Sequence, residues 1–347
     1  MTVILTIYAS LLASFTLLPF VRSDYWVFRV CEYPRSQKLV LTLIALFFIG
    51  VSWQQTLLYG ILAGSMAANT IYLAVQIFPF TALAKKQVLR TEKENPDNTF
   101  SMMISNVLQF NDDIGGTLSG IRKADPDLLL LLETDERWLN ALSALDDSYP
   151  FRVSIPREDT YGMLLYSRLE LRDSEVKYLV EPHVPSIHVK FVLRSGAEVR
   201  FFGLHPSPPV PNENPRSTER DKELLLVADQ AKETDLPVVV AGDLNDVAWS
   251  YTTKLFLKMS GLLDPRRGRG FFNTFNARIP ILRYPLDHAF ISRHFKLKSI
   301  RRLDNHGSDH FPMFLKLLYE PVPDKEQEPF TASKSDVELA REKKAAV

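Results

Sequence analysis

Pro237-Val238-Val239-Val240-Ala241-Gly242-Asp243-Leu244-Asn245 is the stretch of this 347-residue chain from which its fold class follows. PVVVA is apolar at every position, as expected of a strand buried on both faces. Gly242 permits a tight turn that delivers the chain directly to two polar side chains. Asp243 and Asn245, two apart, can point the same way and hold a water or a phosphate oxygen. A second run, Asp127–Glu133 (DLLLLLE), is built alike and ends on a carboxylate. Burying that carboxylate is costly unless it is paired or bound to a cation. Taken singly, GDLN reads as an Asx-turn and Glu133 as a surface acid or a helix start.

Outward from these runs, apolar segments of strand length alternate with helical patterns. Strands are predicted at Phe100–Asn106, Gly162–Ser167, Ile187–Leu193, Val199–Leu204, Asp287–Ser292 and Phe311–Leu317. Ile114, Leu118 and Ile121 share a helix face, as do Leu224, Val227, Ala228 and Ala231 within Ser217–Lys232, and Leu139 and Leu142 mark a third helix. Strands outnumber helices and some neighbours are hairpin-like, so two packed mixed β-sheets flanked by helices fit better than one parallel sheet. The domain is expected over 99–319. Residues 85–98 read as a linker, and 320–347 as a disordered polar tail.

The amino-terminal quarter is different. No Asp, Glu, Lys or Arg occurs in Met1–Val21 or Leu39–Ala84. A span needs about 20 apolar residues, so the first stretch predicts one transmembrane helix and the second predicts two, turning near Gln54 and Gln55. This three-helix anchor occupies 1–84. A cleaved signal peptide is disfavoured by the absence of a basic start and of a small-residue cleavage site. Arg22, Arg29, Arg35 and Lys38 follow the first span, and Lys85, Lys86, Arg90 and Lys93 follow the third. The positive-inside rule then places the domain in the cytoplasm. Tyr25, Trp26 and Phe28 are expected as interfacial anchors. Lys+Arg and Asp+Glu balance at 41 each, which gives no support for a general nucleic-acid binder. The single cysteine, Cys31, rules out an intramolecular disulfide and a cysteine-based zinc site.

Polar groups gather at strand ends throughout: Asn106, Glu133, His205, Asp243 with Asn245, Asp287, and Asp309 with His310. This ordered set, with GDLND and GSDHFPM, resembles the endonuclease/exonuclease/phosphatase superfamily of deoxyribonuclease I-like enzymes over roughly Phe100–Leu317. The spans and the intervening RVCEYPRSQ resemble its membrane-bound bacterial branch. The resemblance implies an α/β four-layer sandwich at a bacterial inner membrane, with the site at one edge of the two sheets. It implies a Mg2+-dependent hydrolase (Mn2+ being the alternative ion) with Glu133, Asn106 and Asp309 at the metal. Asp243 and Asn245 would position water or phosphate, Asp287 would hold His310 in its reactive tautomer, and His205 would face the phosphate. Clustered carboxylates need such a cation to stay ionised, and oxygen donors suit a hard ion better than zinc.

Two positions depart from family patterns. Leu108 stands where some members carry a second acid, and His205 stands where abasic-site enzymes commonly have Tyr. The expected substrate is a phosphate ester: a nucleic acid, a phospholipid headgroup or a small phosphate ester. The bilayer is the only other partner expected, with no obligate protein partner. A lipid-phosphate phosphatase and a catalytically silent membrane-bound module with the same fold are the competing readings. Arg266–Phe272 (RRGRGFF) reads as a basic, flexible segment able to grip a phosphate backbone or headgroup, or as a solvated loop. Pro206–Pro215 reads as a stiff loop bordering the site, and Asn111, Arg157 and Asp159 as further residues near it.

Overall fold

The computed structural model describes residues 2–346. The chain opens with α1 (Thr2–Leu17), the short α2 (Trp26–Val30), α3 (Arg35–Val51) and α4 (Leu57–Ile77). The domain follows as β1 (Thr99–Asn106), α5 (Ile114–Ala124), β2 (Leu128–Leu132), α6 (Glu136–Leu142), β3 (Phe151–Ile155), β4 (Met163–Ser167), β5 (Leu171–Lys177), β6 (Ser186–Val192) and β7 (Glu198–Leu204). It is completed by α7 (Thr218–Glu233), β8 (Val238–Asp243), α8 (Tyr251–Ser260), β9 (Asp287–Ile291), β10 (Phe295–Arg302), β11 (Met313–Tyr319) and α9 (Lys334–Ala345).

One sheet runs β10-β11-β1-β2-β4-β3 and the other β5-β6-β7-β8-β9. Each contains a single parallel pair, β1 with β2 and β7 with β8, joined through α5 and α7 respectively; the remaining neighbours are antiparallel. Side-chain alternation on a strand sets the layers. Leu128, Leu130 and Leu132 face the core between the sheets, with Phe100, Phe201, Val239 and Ala241. Leu129 and Leu131 face Trp138 and Ile121 on the outer helices. Val238 and Val240 pack on Leu224 and Phe256 on the other side. A run of five leucines is therefore needed in full, because both of its faces are covered. The helices start where side chains satisfy their free N–H groups: Asp113 accepts from Gly116 N, Asp135 from Trp138 N and Ser250 from Thr253 N.

The arrangement places the site. Parallel strands end at the same edge of a sheet, and their antiparallel partners begin there. The ends of β1, β2, β7 and β8 thus meet the starts of β9 and β11; Asp243 pairs with Asp287, and Ile104 with Met313.

The amino-terminal expectation needs correction. Two helices, Thr2–Val21 and Leu57–Phe80, are long and apolar enough to cross a membrane; the expected third is not. α3 has 17 residues, about 26 Å against a hydrocarbon core of about 30 Å, and Arg35 and Lys38 occupy its first turn. It runs antiparallel to both others: Lys38 Nζ donates to Phe15 O (3.3 Å) and Arg35 Nη1 to Gln76 Oε1 (2.8 Å). Both long helices consequently finish beside the domain.

Two further segments differ from expectation. Residues 85–98 lie against the domain, with Val88 in its core and Leu89 N bonded to Gln327 Oε1. The expected tail contains α9, which starts with a reciprocal Ser333–Asp336 capping box and ties Lys343 to Asp24 and Asp221 at 2.7 and 2.8 Å. Its apolar contact is slight, so capping and ion pairs define it.

Candidate active site

Asn106 ends β1 and Asp243 ends β8, so they belong to different sheets. The Asn106 Nδ2 donates to Glu133 Oε1 at 2.6 Å and to Asp243 Oδ2 at 3.3 Å, joining the two sheets through one amide. His310, just before β11, places Nδ1 2.8 Å from Asp287 Oδ2 and Nε2 3.5 Å from Asp243 Oδ2. One ligand atom from each of Asp243, Asp287 and His310 lies within 4.8 Å of the other two. Asn245 donates its backbone N–H to Asp243 Oδ1 and its Nδ2 to Pro206 O, both at 3.0 Å. Of the expected site residues, Asn106, Glu133, Asp243, Asn245, Asp287 and His310 are joined by these contacts; His205 acts on the Glu133 charge, and Asp309 adjoins His310 in the chain.

The backbone is strained where the site needs it. Glu133 and Asn245 adopt positive φ of 59° and 49°, a region costly for non-glycine residues. Gly242 has φ 146°, and a Cβ there would lie 1.8 Å from Leu204 O. Only glycine lets β8 approach β7 closely enough to bring Asp243 next to the end of β7.

Burial raises the Glu133 carboxyl above its ordinary range, although His205 and the Asn106 hydrogen bond oppose the shift. Burial also raises Asp287. Burial disfavours charge on His310 as well, but Asp287 and Asp243 outweigh it and push the imidazole up to about 10. His310 has Nδ1 held by Asp287 and Nε2 facing Asp243, the two carboxylates that favour its charged form.

The cluster with metal-ligand spacing is Asp243, Asp287 and His310, whereas the expected metal residues Glu133, Asn106 and Asp309 offer free oxygens of the kind a hard divalent cation takes. Asp309 Oδ1 is buried with no hydrogen-bond partner. Glu133 uses Oε1 for Asn106, leaving Oε2 available, and the Asn106 Oδ1 accepts only Leu108 N (3.0 Å). These are oxygens, the donors that magnesium prefers.

Several supporting residues escaped the sequence reading. Ser308 Oγ donates to Asn106 O (2.8 Å) and accepts from His310 N (3.0 Å), locking the His310 loop onto β1. Thr274 Oγ1 accepts from Leu286 N and Asp287 N. The Asn245 carbonyl accepts from Arg220 Nη1 (2.6 Å) and from Tyr33 Oη (2.9 Å), so the loop between α1 and α3 touches the catalytic turn. Tyr161 packs 5.6 Å from the His205 ring and donates to Glu213. Only Ser308 had a signal, its place in GSDH.

Other expectations resolve differently. Arg266 is buried, bonds Asp264 at 2.9 Å and His288 at 2.7 Å, and reaches Asp287 O at 3.3 Å. Arg267 lies over Phe330 and Arg269 donates to Val88 O. RRGRG is therefore an internal brace, neither a flexible grip nor a solvated loop. Pro206–Pro215 does border the site at Pro206, while Pro215 O accepts Trp26 N (2.9 Å). That contact and the Tyr25–Arg216 bridge dock the expected interfacial segment on the domain. Asn111 bonds the carbonyls of Val107 and His306, and Arg157 pairs with Asp159.

Comparison with known proteins agrees with this geometry. The model of the Endonuclease/Exonuclease/phosphatase family matches residues 103–310, more than half of the chain. Among solved structures, D. rerio TDP2 complexed with a single-strand DNA product is 18% identical with a TM-score of 0.54, covering 64% of this chain and 99% of that one. The human Nocturnin catalytic domain with a bound sulfate anion is 18% identical with a TM-score of 0.52, covering 70% and 99%. An endonuclease/exonuclease/phosphatase from Bacteroides vulgatus is 19% identical with a TM-score of 0.52, covering 64% and 99%. At these identities the likeness is one of fold. No curated protein matches the chain.

Proposed function

The chain belongs to the endonuclease/exonuclease/phosphatase family, and from that membership we propose that it is a membrane-anchored, Mg2+-dependent hydrolase of phosphate esters, Mn2+ being the alternative ion. The observation that carries the reading is the meeting of Asp243 with the His310–Asp287 pair and the Asn106–Glu133 pair across two sheets.

In this reading Asp243 orients the attacking water and accepts its proton, being the carboxylate shared by Asn106 and His310. His310, kept protonated, donates from Nε2 to a phosphoryl oxygen, and Asp287 holds the ring for that task. Asn245 shapes the turn that presents Asp243, and His205 faces the phosphate from the end of β7. Glu133, Asn106 and Asp309 would hold the divalent ion, which would offset charge developing on the phosphoryl oxygens. No side chain need become covalently attached to the substrate. The single-strand DNA product in TDP2 and the sulfate in Nocturnin support a site that accepts a phosphate-like anion.

Attachment to a bilayer is supported by the exteriors of α1 and α4. Val3, Ile4, Leu11, Leu57, Ile71 and Val75 are each more than half exposed, whereas the core helix of a soluble protein hides such residues. Lys85, Lys86, Arg90 and Lys93 follow α4 on the domain's side, which favours a cytoplasmic domain. A phosphatase reporter fused after residue 347 tests this orientation, and periplasmic reporter activity would reverse it.

The activity test uses the full chain in detergent with a generic phosphodiester and a phosphomonoester, in Mg2+ and in EDTA. Hydrolysis should require the ion, and Glu133→Gln should lower kcat at least ~100-fold. Undiminished turnover in EDTA or in Glu133→Gln would remove the mechanism.

A further inference from the structure

Away from the catalytic edge, the domain-side ends of α1, α3 and α4 enclose with α8 and α9 a cavity of about 490 Å³. Arg22, Arg35, Lys254 and Lys258 line it together with Glu32, Asp336, Glu338 and Glu342, yet two of the cations share one neutral acceptor. Gln76 Oε1, one neutral amide oxygen, accepts from both Arg35 Nη1 (2.8 Å) and Lys254 Nζ (2.7 Å). Among the described residues, no carboxylate oxygen forms an ion pair with either cation. Of the four acids lining the cavity, Glu32 pairs with Arg29 at 3.4 Å and Asp336 with Lys258 at 2.8 Å, while Glu338 and Glu342 lie on α9 and form no ion pair with Arg35 or Lys254. Arg35 is only 7% exposed, yet it donates from one of its five N–H groups. Burial, then Arg35 and Arg267, hold the Lys254 ammonium down to about 8, although Glu32 opposes the shift. Arg22 stands exposed at the rim, its guanidinium 5.6 Å from the Tyr251 ring.

We propose that this cavity binds a phosphate-bearing anion, with Arg35 and Lys254 as its direct ligands. The position favours the headgroup of an anionic phospholipid as the source. The cavity lies where the two long apolar helices end, which is headgroup depth in the membrane-attached reading on which this source depends. Its volume is in the range of small-ligand pockets, and a phosphate oxygen accepts readily from guanidinium and ammonium donors.

The test uses the full chain in nanodiscs of phosphatidylcholine with or without phosphatidylglycerol, counting retained lipid by native mass spectrometry. In parallel, inorganic phosphate is titrated calorimetrically into the detergent-solubilised chain. We expect phosphatidylglycerol to be retained at least 10-fold over phosphatidylcholine. Arg35→Gln and Lys254→Gln should abolish the preference, and Lys254→Arg should keep it. Phosphate binding that is lost in the same variants would also support the cavity and assign it to free anions. Phosphatidylglycerol retention unchanged in both neutral variants, or no binding in either arm, would overturn the proposal. Failure of the chain to float with vesicles would sink the membrane reading separately, since the phosphate titration needs no bilayer.

Discussion

Replacing Asp221 by Asn removes one charge from a site where it neutralises three cations. The Asp221 side chain is 1% exposed. Its Oδ1 lies 2.9 Å from Arg220, and its Oδ2 lies 2.8 Å from Lys343 and 3.1 Å from Arg29. Ser217 and Thr252 add hydroxyl donors at 3.2 and 3.0 Å. Asparagine keeps the shape, but either orientation of its amide turns N–H groups toward a cation. Breaking a buried pair in this way costs about 3–5 kcal/mol, and a domain of this size loses about 2–4 °C in Tm per kcal/mol. The expected drop is therefore ~6–20 °C, read by thermal unfolding of the full chain in detergent. The pH dependence is a second check. Burial opposes the Asp221 charge, but Arg220, Arg29 and Lys343 outweigh it and hold the carboxyl well below its ordinary 3.8. Such a depressed group contributes its full stabilisation above pH 3.8 and loses it as pH falls through the folded value. The gap in Tm between the two proteins should accordingly close in acid. A drop below ~2 °C at neutral pH, or a gap that persists unchanged into acid, would refute the account.

Other variants test the site and its supports. His310→Ala should lower kcat about 10²–10⁴-fold. Asp287→Asn should lower it less while moving the basic limb of the pH–rate profile to lower pH, because His310 loses the carboxylate that holds it protonated against burial. An unmoved limb would give Asp287 a merely structural part. Gly242→Ala forces a Cβ against Leu204 O and should cost at least ~3 kcal/mol through clash and backbone strain together, visible as a lower Tm with loss of activity. Deleting 334–347 removes Lys343 and the Lys258–Asp336 pair and should lower Tm by several degrees; an unchanged Tm would make α9 an ornament.

What the sequence disclosed follows from which faces of each strand are covered. β2 and β8 are read at once because packing on both faces demands an unbroken apolar run. The site residues are read because a polar side chain directly beside such a run is conspicuous. β3, β5 and β10 were missed, and they are three of the four edge strands; β9, the fourth, is legible because all of its residues are buried. LRDSEVK and FKLKSIRR carry charge because an open edge is kept from pairing by it, and that erases the apolar signal. α9 was missed for a related reason, since its stability comes from partners far along the chain. Arg266 was misread because its role depends on His288, and a run of arginines does not reveal the wall it will meet. Ser308, Thr274 and Tyr33 act on the site through contacts that exist only once the fold has closed.

The 2.7 Å pair of Asp24 with Lys343 has a consequence for biosynthesis. A ribosome delivers Asp24 319 residues before Lys343, so this clasp closes only after the whole domain between them has been made. Until then the buried acids beside Arg29 and Arg220 face the translating cell with one counter-charge missing. A nascent chain halted a dozen codons before Lys343 would be caught in that condition, an exposed target for quality-control proteases.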